Sequence, residues 1–171
     1  NYAIEVVDES LGWNPQQGTM LYWNPESPDS QFFFNDRDPE SGKIFTVLYD
    51  IEKRKRVREF RSRDYPVGNS GVKQTGGAFA AINYARMARL RPVTGYKDTP
   101  DWTIGVNHPK DDGVFLVDSN TGKQYLLVSF EQMAEEIRKT EPHIDELELF
   151  IDADLWGRCA CRFIVADCLG R

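Results

Sequence analysis

Short apolar runs separated by turn-forming residues recur along most of this chain. Such runs predict strands at residues 19–23, 31–35, 44–51, 57–60, 77–84, 114–117 and 124–129. Runs of four to eight residues between turn signals favour an all-β sandwich, barrel or propeller over a helical fold.

Two similar turn sequences join predicted strands. Residues 38–43 read DPESGK and residues 118–123 read DSNTGK. Gly122 has no side chain to oppose a positive φ, so the second segment predicts a hairpin turn. The first predicts an equivalent connection between the FFFND and IFTVLYD strands.

An internal repeat narrows the choice of fold. An apolar strand ending in aspartate occurs at Asp50 (VLYD), Asp118 (FLVD) and Asp167 (FIVAD), at spacings of 68 and 49 residues. The second spacing is close to the length of a propeller blade. We therefore predict a partial β-propeller of about three to four antiparallel four-stranded blades, a fragment of a larger ring.

The longer spacing contains an insertion at residues 86–112, which is rich in proline, arginine and aromatic residues. A loop of this length in a compact domain is usually functional or disordered, and its composition argues against disorder. One short helix is predicted after it. Ser129 and Gln132 have capping-box spacing, an apolar stripe follows, and Pro142 is expected to end the helix.

Composition excludes several classes of protein. Hydrophobic residues make up 40% of the chain, and no apolar run reaches the roughly 18 residues that a membrane span requires. The formal net charge of -6 makes nucleic acid an unsuitable general partner. The basic run at residues 53–63 is interpreted as a solvated hairpin edge, because it lacks interleaved aromatic residues.

Cysteine and histidine give little support for a metal or cofactor. Cys159 and Cys161 form a single C-x-C pair, and Cys168 follows without a second pair. The only histidines are His108 and His143, so their number does not support a divalent metal site. The sequence does not identify a cofactor. No targeting segment is visible, and the cytoplasm and periplasm both remain open.

Three segments resemble a known group of proteins. They are WNPQQGTMLYW at residues 13–23, FNDR at 34–37, and NYARMARLRP at 83–92 with the Gly-Tyr pair at 95–96. They are similar to a group of largely uncharacterised bacterial β-propeller proteins in the style of the TolB-like and oligogalacturonate-lyase-like propellers. The resemblance implies a longer parent chain with further blades and an association with saccharides. The chain departs from the group after residue 143, where a strand is expected to be missing.

The arginine-rich start of the insertion is the first candidate site. Arg86, Arg89 and Arg91 lie within six residues of one another, and Tyr96 follows. On an extended segment ended by Pro92, these side chains could hold a carboxylate or sulfate while tyrosine stacks on a sugar ring. The alternative is structural, with the arginines clamping loop carbonyls and the acids Asp98, Asp101, Asp111 and Asp112.

A second candidate group follows the aromatic strand FFF. Asn35, Asp36 and Arg37 are placed to present polar groups at the axial mouth of a propeller. The favoured alternative is an Asx-type turn before Pro39, with Asp36 paired to Arg37.

Two glutamines and two tryptophans near the start of the chain are also candidates for either ligand binding or a structural role. Gln16 and Gln17 suit sugar hydroxyls, but they equally suit buried backbone groups. Trp13 and Trp23 are expected in the core or the central channel rather than as stacking platforms.

These features lead to one functional expectation and one rival. We expect a saccharide-associated propeller that binds, and as a lyase cleaves, an anionic oligosaccharide at its axial face. A lyase needs a base, for which His143 is the candidate, and a cation supplied by the arginines. The alternative is a non-catalytic propeller scaffold for protein interaction.

Overall fold

The computed structural model describes residues 3–151, and these form two four-stranded antiparallel sheets with two short helices. In each sheet the strands lie in sequence order. The first sheet contains β1 (Tyr22–Trp23), β2 (Gln31–Arg37), β3 (Ile44–Asp50) and β4 (Lys55–Phe60). The second contains β5 (Gly68–Val72), β6 (Ala78–Ile82), β7 (Gly113–Asp118) and β8 (Gln124–Ser129).

The mostly β architecture predicted from the sequence is confirmed, at the level of two sheets. Residues 3–151 contain two four-stranded sheets rather than three to four, and these do not close into a barrel or a ring. The VLYD and FLVD segments occupy the same position, because β3 and β7 are each the third strand of a sheet. The FIVAD segment lies outside the described residues.

Both predicted turns are present, and each joins the two strands that the sequence predicted it to join. The turn at 38–43 connects β2 to β3, and the turn at 118–123 connects β7 to β8. In each, the leading aspartate accepts backbone N–H groups of the turn, and Gly42 and Gly122 have positive φ angles of 71° and 78°. Short polar side chains and glycine therefore fix both reversals.

Aromatic side chains fill the space between the two sheets. Phe33 and Phe60 of the first sheet meet Phe79 of the second, with ring centroids 5.6 and 5.1 Å from that of Phe79. Burying one such side chain stabilises the fold by about 1.5–3 kcal/mol. The two sheets thus share one hydrophobic core along their facing sides.

Helix α1 (Tyr84–Leu90) is a departure from the sequence-based prediction. An extended segment was expected up to Arg86 and a loop beyond it, but Asn83 caps a helix here. Its side-chain oxygen accepts the N–H groups of Ala85 and Arg86 at 3.1 and 3.0 Å. Asparagine is among the strongest N-cap residues, which explains the helix start. The helix ends at Leu90, before the backbone restriction that Pro92 imposes.

Helix α2 (Phe130–Ile137) confirms the predicted capping box. Ser129 accepts the N–H of Gln132 at 3.1 Å, and the Gln132 side chain accepts the N–H of Ser129 at 2.9 Å. The prediction that Pro142 ends this helix is wrong. The helix closes at Ile137, and Pro142 instead begins a 3₁₀ helix, Pro142–Glu146, because proline suits a first helical position. Neither α1 nor α2 is long and apolar enough to cross a membrane.

Candidate functional site

A surface depression of about 250 Å³ lies where the segment before β1 meets the segment after α1. We call it the Trp13 depression. Its walls combine one aromatic, several apolar and three charged side chains. They are those of Leu11, Trp13, Asn14, Pro15, Arg37, Pro92, Lys97 and Asp98, with the backbone of Gly95 between them.

Asn14 builds one wall of the depression. Its Oδ1 accepts the backbone N–H groups of Gln16 and Gln17 at 3.0 and 2.7 Å, which folds the chain into a tight turn. Its Nδ2 donates to the Thr94 carbonyl at 2.7 Å and joins this turn to the opposite wall. Trp13 is left 58% exposed at the rim.

The opposite wall is held against α1 by close packing. Gly95 lies directly on the backbone of Ala88, where no side chain would fit. Tyr96 stacks on Tyr84 with ring centroids 4.3 Å apart and planes 14° from parallel. Burial raises the pKa of the Tyr96 hydroxyl well above its usual range. The buried Tyr96 therefore anchors Lys97 and Asp98, the exposed residues that follow it.

Asn35 and Tyr96, expected at a ligand site, lie in the interior. Asn35 donates to the Tyr96 hydroxyl at 3.1 Å and to the Asn69 carbonyl at 2.9 Å. Its Oδ1 accepts from the Thr46 hydroxyl and from both the backbone and side-chain N–H of Asn69. These bonds join β2 and β3 to β5. The prediction that Asn35 opens onto an axial mouth is therefore wrong for the described residues.

Asp36 and Arg37 have separate roles. Asp36 accepts the N–H of Leu11 at 2.9 Å and pairs with Arg56 at 2.8 Å, so it fastens the segment before β1 onto the sheet. The alternative is present in part: an Asx turn forms before Pro39, where Asp38 accepts the N–H groups of Glu40 and Ser41, but among the described residues Asp36 pairs with Arg56 rather than with Arg37. The Arg37 guanidinium lines the Trp13 depression and donates to the Asp98 carbonyl at 3.2 Å.

The two positively charged side chains of the depression, Arg37 and Lys97, come from different parts of the fold. Arg37 ends β2, and Lys97 is an exposed residue of the segment after α1. Asp98 contributes the one carboxylate of the walls and has a positive φ of 61°. A non-glycine residue in this region is uncommon and carries a small strain. The Arg37 bond to its carbonyl helps to hold that conformation.

Arg86 lies in the interior rather than at a ligand subsite, since it is only 1% exposed. Its guanidinium donates to the carbonyls of Leu149 and Asn107 at 2.5 and 2.7 Å. Further bonds reach the Thr103 hydroxyl and the Val106 carbonyl at 2.8 and 3.1 Å. Burial lowers the pKa of this guanidinium, although it remains the charged partner of nearby acids.

The other two arginines of the predicted cluster also stay close to α1. Arg89 pairs with Asp101 at 2.9 Å and with Glu148 at 2.6 Å. Arg91 is the exposed C-cap residue of the helix. The structural alternative thus accounts for Arg86 and Arg89, which fasten the insertion to the segment at 147–151.

His143, the candidate base, is remote from any such cluster. It lies in the 3₁₀ helix, its side chain is 78% exposed, and its Nδ1 is 3.8 Å from Glu146. His108 is half-buried, with Nε2 2.9 Å from the Leu147 carbonyl. Across residues 3–151 no three histidine, cysteine or acidic side chains come together as a metal site.

Sequence reasoning missed the residues that shape the depression. Trp13 and Trp23 were expected in the core or the central channel, yet they are 58% and 51% exposed. Gln16 and Gln17 occupy the Asn14 turn rather than the lining of the depression. The Asn-Pro pair at 14–15 was the available signal, because it favours turn initiation.

Comparisons with known proteins add no assignment. Family models, curated proteins and solved structures were all searched, and none matches this chain.

Proposed function

We propose that the protein is a saccharide-associated β-propeller protein that binds an anionic glycan in the Trp13 depression. The observation that carries this proposal is the exposed indole of Trp13 at the rim of a depression lined by Arg37 and Lys97. Large aromatic side chains are usually buried, so this placement costs apolar contact that a ligand would restore.

The chemistry of the walls suits a sugar that carries a carboxylate or sulfate. An indole offers a flat apolar face to a pyranose ring, and its N–H stays available as a donor. A guanidinium group binds an oxyanion through two parallel hydrogen bonds, while lysine adds a mobile point charge. Together these groups recognise both the ring and the charge of one glycan unit.

The propeller part of the proposal rests on the sheet pattern. Sequential antiparallel order in two four-stranded sheets is the arrangement of successive blades. The β5 strand is largely buried, whereas β8 is largely exposed, as expected for inner and outer strands of a blade. Equivalent placement of β3 and β7 agrees with a blade repeat.

Cleavage of the glycan would require a base in the same depression. Asp98 is the only carboxylate among the lining residues, and its strained backbone is held by Arg37. In a β-elimination, Asp98 would take the proton α to the uronate carboxylate, the C–H electron pair would form a carbon–carbon double bond, and the glycosidic C–O bond would break. The leaving oxygen would take a proton from solvent water and depart as a hydroxyl group. Arg37 would stabilise the charge that develops on the carboxylate.

Calorimetric titration with uronate oligosaccharides tests the binding proposal. We expect Trp13→Ala and Arg37→Gln each to weaken binding by about 1–3 kcal/mol, since each removes a stacking face or a charge-assisted bond. Trp23→Ala is the matched control, because Trp23 is equally exposed but packs on Phe32 away from the depression. Equal losses in Trp13→Ala and Trp23→Ala would contradict the assignment, as would equal binding of an uncharged oligosaccharide.

The cleavage step has its own readout. Ultraviolet absorbance detects the unsaturated uronate product of β-elimination. We expect Asp98→Asn to abolish any such signal while leaving the affinity within a few-fold of the wild type. Absence of the signal in the wild-type protein would remove the lyase step and leave the binding proposal intact.

The non-catalytic scaffold remains the second candidate function, and the inward bonding of Arg86 and Arg89 favours it. In that case the arginines serve only to join the insertion to the rest of the fold. A scaffold predicts no calorimetric response to anionic glycans of any length.

A further inference from the structure

A second depression of about 280 Å³ opens beside the β2–β3 turn, and its charged lining is entirely basic. We call it the Arg63 depression. No acidic residue lines it, although the whole chain has a net charge of -6. The lining residues are Ser41, Lys43, Ile44, Phe45, Arg61, Ser62 and Arg63.

Arg61 forms a wall of this depression, but its charge is not available to a ligand. It pairs with Asp38 at 3.0 Å and with Glu59 at 2.7 Å, and its guanidinium lies 3.4 Å from the centroid of the Phe45 ring. Two carboxylates therefore compensate its charge, and stacking fixes its position.

Lys43 and Arg63 supply the charge that is not compensated. Lys43 Nζ donates to the Arg63 carbonyl at 2.7 Å, which is a neutral partner. The guanidinium of Arg63 is exposed and makes no hydrogen bond or ion pair within residues 3–151. One ammonium and one open guanidinium thus face a concave surface without an internal anion.

The two depressions are neighbours, linked by the contact of the β2–β3 turn with Asp98. Ser41 and Lys43 line the Arg63 depression, and Gly42 between them packs on the Asp98 carbonyl, so closely that an added Cβ would lie 3.1 Å from that oxygen. Asp98 in turn lines the Trp13 depression. Both depressions therefore lie at the end of the first sheet where β2 ends and β3 begins.

From this arrangement we infer that the Arg63 depression is a second subsite of the proposed glycan site, so that the ligand is a linear glycan with an anionic group on at least two units. This inference rests on the proposed function. One unit stacks on Trp13 with its anion at Arg37 and Lys97. A neighbouring unit crosses the β2–β3 turn and places its own anion at Lys43 and Arg63.

Length dependence of binding tests this inference on the full chain. Uronate mono-, di- and tetrasaccharides are titrated calorimetrically into the wild type and Arg63→Gln. We expect the wild type to bind the tetrasaccharide at least tenfold more tightly than the monosaccharide. Arg63→Gln should lose roughly tenfold in tetrasaccharide affinity, the effect of one charge-assisted contact, and leave monosaccharide affinity unchanged.

Lys55→Gln is the matched control for charge. Lys55 is an exposed residue at the opposite end of β4, and its replacement changes the net charge as much as Arg63→Gln does. A loss in Lys55→Gln equal to that in Arg63→Gln would overturn the subsite, because it would show a general field effect. A sulfated tetrasaccharide run in parallel tells whether the subsites prefer carboxylate or sulfate, and tighter binding of either over an uncharged tetrasaccharide supports the inference.

Failure of the inference is distinguishable from failure of the proposed function. If the monosaccharide binds and affinity does not rise with length, the second subsite is excluded while the Trp13 site stands. If no anionic saccharide binds, both proposals fail. Binding of single-stranded nucleic acid with the same dependence on Arg63 would also overturn the glycan assignment.

Discussion

Arg86 is a charged side chain whose importance is structural, because it is 1% exposed and donates to three main-chain carbonyls and the Thr103 hydroxyl. Arg86→Lys keeps the charge but loses the planar fork that reaches Leu149, Val106 and Asn107 together. We expect the free energy of unfolding to fall by about 2–4 kcal/mol, since charge-assisted bonds contribute about 1.5–3 kcal/mol each. Urea denaturation followed by tryptophan fluorescence measures the change.

Arg138→Lys provides the comparison for this residue. Arg138 is an exposed arginine paired with Asp145 on the surface, where ion pairs contribute about 0–1 kcal/mol. A comparable loss of stability in Arg138→Lys and Arg86→Lys would show that the buried bonds of Arg86 carry no special weight.

Asp112 gives a pH-dependent prediction at the same scale. Its buried carboxyl accepts Asn83 Nδ2 at 2.9 Å and the Gly113 N–H at 2.8 Å, and it faces the charges of Arg86 and Asp101. Burial raises its pKa from 3.8 to about 7 in spite of the hydrogen bonds and Arg86. Between these values the folded state holds a proton that the unfolded state has released. Stability from this group is therefore complete below about pH 4 and falls as the pH rises to about 7.

Asp112→Asn removes this titration while keeping the shape of the side chain. As the pH rises through that window, we expect the free energy of unfolding of the variant to increase relative to that of the wild type. The increase is at most about 1.4 kcal/mol for each unit of pKa shift. Urea denaturation at a series of pH values between about 4 and 8 measures both curves. Parallel curves for variant and wild type would contradict a raised pKa at Asp112.

Single residues were the hardest level to predict from sequence. Large aromatic residues are usually buried, so the sequence favoured the core or the central channel for Trp13. Its exposure depends on the Asn14 bond to Thr94, a contact across 80 positions of sequence. No local pattern carries that information, so neither the depression nor the role of Lys97 could be anticipated.

At the level of elements, the two helix caps allow a direct comparison. Ser129→Ala removes one capping box and should cost about 1 kcal/mol. Asn83→Ala removes the cap of α1 and also the bonds to Asp101 and Asp112, so we expect a larger loss of about 2–4 kcal/mol. Thermal and urea denaturation of the two variants check the order. A smaller loss in Asn83→Ala than in Ser129→Ala would contradict the role of Asn83 as the joint of the insertion.

The elements also show what a sequence pattern can and cannot reveal. Seven of the eight strands of the described residues and both hairpin turns were predicted, because each depends on local alternation and on glycine or aspartate at fixed places. Strand β5 was missed, because its sequence GNSGV has no apolar run. Helix α1 was missed because Arg86 lies on its buried face among Tyr84, Ala85 and Met87, so the apolar stripe is interrupted. Arg86 thus interrupts the apolar pattern of the helix in the sequence, and in the structure it bonds the helix to Asn107 and Leu149.

At the scale of the whole molecule, the repeat predicted from the sequence corresponds to β3 and β7, which are each the third strand of a sheet. The packing of one sheet against the other had no signal in the sequence. That relation depends on Phe33 meeting Phe79 and on Asn35 meeting Asn69 across 34 positions. Phenylalanine and asparagine at these places are equally compatible with contacts inside a single sheet. Packing between sheets was therefore available only from the three-dimensional structure.

The amide pair Asn35–Asn69 is the polar counterpart of the aromatic core, and it predicts how the two sheets unfold. Each side chain is buried and bonded to the other, so Asn35→Ala or Asn69→Ala leaves polar atoms unsatisfied and should cost about 2–4 kcal/mol. Because the second replacement removes a bond already lost, the double variant should lose less than the sum of the two, by about 1–3 kcal/mol.

Urea denaturation, followed by tryptophan fluorescence and circular dichroism, should give coincident single transitions in the wild type. Asn35→Ala combined with Ser129→Ala should be additive, since the Ser129 hydroxyl accepts the N–H of Gln132 at the start of α2 and does not contact the amide pair. Additivity in the Asn35–Asn69 pair, with separate transitions for the two probes, would mean that the sheets fold as independent units and that the amides do not couple them.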